Sequence, residues 1–268
     1  MAREPTETEV AARAPIGVFD SGIGGLSILR SLRRALPHED FVYFADTAHA
    51  PYGERDEDFV LDRAALITRD LVDRLGIKLL VVACNTATAL AIQTLRAQWP
   101  QLIIVGVEPA LKPAAAHSQT HRVGVLATRG TLTSDKFAQL QASLAGQAEF
   151  VLQPCDGLAA AIESSDAALT ASLCERYARA LGPLGTAAGE IDTLVLGCTH
   201  YAFANDDWVR LVGPQVRILE TGEPVARHTR QMLEQARLRH PGDAPGRLTL
   251  LSSGEQQPLE LAARQWLG

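Results

Sequence analysis

The run Leu79-Leu80-Val81-Val82-Ala83-Cys84-Asn85-Thr86-Ala87 (LLVVACNTA) passes from large apolar residues to small polar ones at a single cysteine. A short unbroken apolar run is the pattern of a strand buried on both faces, as in a parallel sheet. The small polar residues after Cys84 suit the first turn of a helix. The same pattern returns at Thr193 to Tyr201 (TLVLGCTHY), with Cys198 in the matching place. Each thiol is therefore expected at the end of a buried strand.

Working outward, further apolar runs occur at Ile16 to Phe19, Phe41 to Phe44, Ile103 to Val107, Val123 to Leu126 and Val216 to Leu219. Amphipathic stretches such as Phe59 to Leu75 separate them. Alternation of this kind predicts an α/β fold with mainly parallel sheets. Three landmarks recur in the same order. IGVFDSG (Ile16 to Gly22) resembles VGVLATRG (Val123 to Gly130), and LLVVACNTA resembles TLVLGCTHY. IIVGVEPAL (Ile103 to Leu111) is matched more weakly by VRILETGEPVA (Val216 to Ala226), which pairs Glu108 with Glu220. The chain thus reads as an internal duplication: two similar α/β domains related by a pseudo-twofold axis. Open α/β sheets bind ligands at the C-terminal ends of their strands. Two such domains facing each other would bring Cys84 and Cys198 into one cleft from opposite sides.

The bulk properties narrow the function classes. With 268 residues and 47% hydrophobic content, the chain can bury a substantial core. A net charge of −6 and the lack of a dense Lys/Arg cluster argue against nucleic acid as partner. The first residues, MAREPTETEVAARAP, have no apolar core and read as a loose tail rather than a secretory signal. No apolar run approaches membrane-spanning length, so no membrane partner is expected and a cytoplasmic location is. Four widely spaced cysteines then read as reduced thiols.

Helix-opening residues after Cys84 and Cys198 would offer N–H groups and a positive dipole end, which lower a thiol pKa. Cys155 and Cys174 lack a recognisable strand-end context and read as structural. No CxxC, HExxH or close His/Cys cluster is present, so no metal site is expected, and no GxSxG supports a serine nucleophile. Asp20-Ser21-Gly22-Ile23-Gly24-Gly25 follows a strand and opens a helix; its N–H groups suit an anion. Asp20 could orient an ammonium group or assist a base, and Asp20 and Ser21 could equally cap the helix. Ala50-Pro51-Tyr52-Gly53 is by itself a turn signal.

With DSGIGG, APYG, ACNTA, GVEPALKPA and GCTHY in order, the chain resembles the glutamate racemases, from about Ile16 to Arg230. The resemblance implies a cofactor-independent, two-base interconversion of L- and D-glutamate that supplies D-glutamate for peptidoglycan. It implies that Cys84 deprotonates D-glutamate and Cys198 L-glutamate, with Asp20, His200 and Glu163 assisting. Glu163 is carried over from a segment in which Asp156 replaces the usual proline. Substrate contacts implied are Asp20, Ser21, Tyr52, Gly53, Asn85, Thr86, Thr128, Thr199 and His200. The implied layout is a tail at 1–13, a first domain at 14–112 plus 222–268, and a second at 113–221. A homodimer is also implied. Two alternatives stay open on the residues alone: an aspartate or other amino-acid racemase, and a non-catalytic two-domain amino-acid-binding protein.

Overall fold

The structure, a computed structural model, describes residues 6–268. The chain opens with helix α1 (Glu7–Arg13) and strand β1 (Ile16–Asp20), then α2 (Leu26–Ala35), β2 (Phe41–Ala45), α3 (Glu57–Leu75), β3 (Leu79–Val82), α4 (Asn85–Gln98) and β4 (Ile103–Gly106). Helix α5 (Leu111–His117) leads to β5 (Arg122–Ala127), α6 (Arg129–Leu132), α7 (Asp135–Ala142), β6 (Glu149–Pro154), α8 (Leu158–Glu163), α9 (Ala167–Ala180), β7 (Thr193–Leu196), α10 (Asn205–Val212) and β8 (Arg217–Leu219). Helix α11 (Gly222–Gln235) then returns the chain to β9 (Leu248–Ser252) and the last helix, α12 (Gln256–Leu267).

The strands form two sheets, ordered β4-β3-β1-β2-β9 and β6-β5-β7-β8, and every pairing is parallel. The order β8-β7-β5-β6 repeats β4-β3-β1-β2, which is how a duplication would appear in three dimensions. The registers agree: Ile16 lies opposite Leu79, and Val123 opposite Thr193. One expected equivalence fails. Leu79 lies opposite Ile103 and Thr193 opposite Arg217, so Glu108 corresponds to Gly222 rather than to Glu220.

Side chains alternate between the faces of each sheet. Leu79, Val81 and Ala83 pack with Ile16 and Val18 on one face, while Leu80, Val82 and Cys84 pack with Phe19 on the other. In the second sheet, Leu194, Leu196 and Cys198 likewise share one face. The sulfur of each cysteine thus continues an apolar stripe to the end of its strand. Helix α11 packs on α2 of the first sheet, and β9 adds a strand beside β2.

The segment expected to be a loose tail contains α1, closed by a capping box between Thr6 and Glu9. Its Ala12 carbonyl accepts from buried Lys78 at 2.5 Å, and Lys78 also pairs with buried Glu39 at 2.5 Å. Lone buried charges are costly, so each of these two groups needs the other.

Candidate active site

Cys84 caps α4, its sulfur accepting from the Ala87 N–H at 3.4 Å, and lies 3.8 Å from the Ser21 hydroxyl. Ser21 donates to Asp20 through its N–H (2.6 Å) and its hydroxyl (3.3 Å). From the second sheet, the Thr199 hydroxyl reaches the other Asp20 oxygen at 3.3 Å. Cys198 lies two residues beyond the end of β7, 3.8 Å from Nδ1 of His200, whose Nε2 lies 2.6 Å from Glu163. The Glu163 carboxylate in turn accepts the Ile23 N–H at 3.1 and 3.0 Å. The strand-end loops therefore interlock across the two sheets, and both thiols are buried at 5% and 7% exposure.

Glycines allow this interlocking. A Cβ at Gly22 would lie 2.3 Å from Glu163, and one at Gly24 would lie 2.3 Å from His200. The N–H groups expected to meet an external anion are used in part on the protein's own carboxylate, Glu163. The Tyr43 hydroxyl fixes the loop from below by donating to the Gly22 carbonyl at 2.6 Å.

The electrostatics are unequal on the two sides. Burial pushes Asp20 up to about 6, against the opposing influence of His200. Burial, and then the charge of Asp20, push the Cys84 thiol well up; the Ala87 N–H opposes this but loses. The expected lowering of the Cys84 pKa by its helix end is therefore reversed, because desolvation outweighs one N–H. Burial alone would push His200 down, yet the Cys198 sulfur and Glu163 hold it well above its ordinary value.

The remaining candidates lie around this core. The Thr86 and Thr128 hydroxyls are 3.0 Å apart across the sheets, and Thr128 lies 3.0 Å from Thr131. A Cβ at Gly53 would lie 2.6 Å from Thr128. Tyr52 is buried with its hydroxyl donated to Asp46, so only its backbone faces the loops. Asn85 is buried with neither side-chain oxygen nor nitrogen bonded. The duplication explains why. Asn85 corresponds to Thr199, whose partner is Asp20, and the counterpart of Asp20 is Ala127, which has nothing to offer an amide.

The Asp/Glu/Hydantoin racemase family model matches residues 16–229. The glutamate racemase of Stutzerimonas stutzeri is 45% identical over 246 residues, covering 91% of this chain and 90% of that protein. The chain belongs to the Asp/Glu/Hydantoin racemase family. The glutamate racemase of Ralstonia pickettii is also 45% identical, over 96% of this chain and 89% of its own length. Among solved structures, the Escherichia coli glutamate racemase in complex with L-glutamate and the activator UDP-MurNAc-Ala superposes with a TM-score of 0.80. It is 28% identical, covering 94% of this chain and 95% of that one. A Bacillus anthracis glutamate racemase gives a TM-score of 0.82 at 27% identity, covering 96% and 95%.

Two features of this racemase-family site escaped the sequence reading. Cys155 does sit at a strand end, directly after β6, where its N–H donates to the Ala127 carbonyl at 2.9 Å. It is buried, its thiol pushed up by desolvation and then by Cys198 nearby, so it remains a packed, protonated group. Asp46, Arg63 and Tyr43 carried no motif signal, since each acts only on residues the fold brings to it. Among the described residues, no group of three or more His, Cys, Asp or Glu side chains is placed to hold a metal ion, and all four cysteines are free.

Proposed function

We propose that this protein is a cofactor-independent glutamate racemase using Cys84 and Cys198 as its two bases, acting in the cytoplasm to supply D-glutamate for peptidoglycan. The observation that supports the proposal is the contact between strand-end loops of opposite sheets, each carrying a buried thiol with its own acid–base partner. Racemisation removes the α-proton from one face and returns one to the other, so it needs a base and an acid on opposite sides.

The partner sets favour different roles for the two thiols. A protonated His200, held by Glu163, is the cation that a Cys198 thiolate requires. Cys84, raised by burial and Asp20, keeps its proton. In this state Cys198 takes the α-proton of L-glutamate and Cys84 delivers one to the opposite face. For D-glutamate the roles reverse. Asp20, at about 6, accepts a proton through Ser21 and removes the negative charge that opposes a Cys84 thiolate.

The reacting carbon must lie between the sulfurs, so its carboxylate and ammonium fall to the groups beside them: Asp20, Ser21, Asn85, Thr199 and His200. The unbonded Asn85 amide supplies both a donor and an acceptor there. The hydroxyls of Thr86 and Thr128, 3.0 Å apart, and the adjoining Tyr52–Gly53 backbone suit the distal carboxylate. Fixed donors in a site without bulk water stabilise the carbanionic intermediate more than water would.

The test is incubation of the pure protein with L-glutamate in D₂O without added cofactor, with L-aspartate in parallel. Loss of optical rotation together with deuterium entry at Cα of glutamate is expected. Binding without exchange would mark a non-catalytic protein, and faster turnover of aspartate would change the substrate.

A further inference from the structure

Behind the Tyr52–Gly53 turn lies a buried charge that the chemistry above does not use. Asp46 directly follows β2 and is fully buried; its N–H donates to the Asp20 carbonyl at 2.9 Å. Its carboxylate accepts the Tyr52 hydroxyl at 2.5 Å, Nε and Nη2 of Arg63 at 2.9 and 2.8 Å, and lies 2.9 Å from Nδ1 of His49. Burial would raise this carboxyl, but Arg63 and then Tyr52 hold it below its ordinary value. In the second sheet the equivalent position is Cys155, which makes the same backbone bond to Ala127 and carries no charge.

A buried ion pair is weak evidence for stability, because apolar packing serves as well. What this one does is positional. Its partners come from α3 and from the short turns at Thr47–His49 and Tyr52–Glu54. It therefore clamps the whole segment from behind. In front, Gly53 abuts Thr128 so closely that a Cβ would stand 2.6 Å away, and Thr128 bonds Thr86. The clamp thus fixes how far the Gly53 backbone projects towards the two threonine hydroxyls.

We propose that Asp46, together with Arg63, is a positioning residue that sets the depth of the distal-carboxylate pocket and so selects glutamate over its one-carbon-shorter homologue. The proposal rests on the glutamate reading of the site. Asp46→Asn keeps the shape but opposes an amide to the half-buried guanidinium. Arg63→Lys keeps the charge but loses the two-pronged contact.

The experiment measures glutamate binding by titration calorimetry, and kcat and KM with L-glutamate and L-aspartate, for wild type and both variants. Asp46→Asn is expected to raise Kd and KM for glutamate about tenfold while kcat stays within about threefold, as for loss of a charge-assisted bond. Its preference for glutamate over aspartate narrows. Arg63→Lys gives a smaller rise, about threefold, and carries the test if Asp46→Asn does not fold. A role in folding alone would lower the active fraction, and with it kcat, but leave KM unmoved. Unchanged Kd and KM in folded variants of a glutamate-binding wild type would overturn the positioning role and leave the glutamate reading standing. A wild-type protein that neither binds nor racemises glutamate would overturn both.

Discussion

The Nε2 atom of His200 lies 2.6 Å from the carboxylate of Glu163, and that carboxylate also accepts the Ile23 N–H from the first sheet. One side chain therefore holds a charge beside Cys198 and joins the two halves of the cleft. Glu163→Gln keeps the shape but loses the charge that holds His200 high. An equilibrium constant of one requires equal kcat/KM from both enantiomers in every variant, so the asymmetry must appear in kcat. The kcat from L-glutamate should fall about tenfold, more than that from D-glutamate. The alkaline limb of the pH profile should also move to lower pH. Initial rates from each enantiomer across pH decide this; equal losses with an unmoved profile would reject the assignment.

Cys84→Ser and Cys198→Ser should each slow racemisation in both directions by about a hundredfold or more, because a hydroxyl is a far weaker base at neutral pH. The measurement is optical rotation starting from each enantiomer. Near-normal turnover in either variant would remove that sulfur from the mechanism.

Asp20 gives a stability test with a definite sign. Its carboxyl titrates at about 6 in the fold against a usual 3.8, so between these values the native state holds a proton that the unfolded chain has released. Stability falls as pH rises through that window and levels off above about 6. Asp20→Asn should therefore stabilise the protein at pH 7 by about 1–3 kcal/mol, and give no gain below about pH 4. Denaturant unfolding at the two pH values measures it, and activity should drop in the same variant. Destabilisation at pH 7 would show that the charged form is favoured instead.

Gly24→Ala would place a methyl group 2.3 Å from the His200 ring in the closed cleft. Holding the halves apart displaces the reacting groups, at a cost of roughly a hundredfold in rate. The melting temperature should change little, because the clash lies between the sheets rather than inside either core. Normal activity would show that the loops need not meet this closely.

The strands at the centres of the sheets were legible because burial on both faces leaves long apolar runs, as in β1, β3 and β7. The strands missed, β6 and β9, lie at sheet edges and are only partly buried, so their residues are mixed. The mixed composition of β6 likewise hides the strand end that Cys155 follows. The helix end at Cys84 is overridden for another reason: a dipole is local and visible in sequence, whereas desolvation depends on everything packed around the thiol.

The sequence by itself determined the repeated α/β pattern and the place of Cys84 and Cys198 at two buried strand ends, because hydrophobic periodicity and a strand-to-helix junction are local properties. Only the tertiary structure decided which loops meet: Asp20 with Thr199, Ile23 with Glu163 and Gly53 with Thr128. These contacts join residues far apart in the chain, and no local pattern encodes the partner. The same holds for the charges. The fold, by burying Asp20 near Cys84 and pairing His200 with Glu163 beside Cys198, gives two similar thiols unequal surroundings.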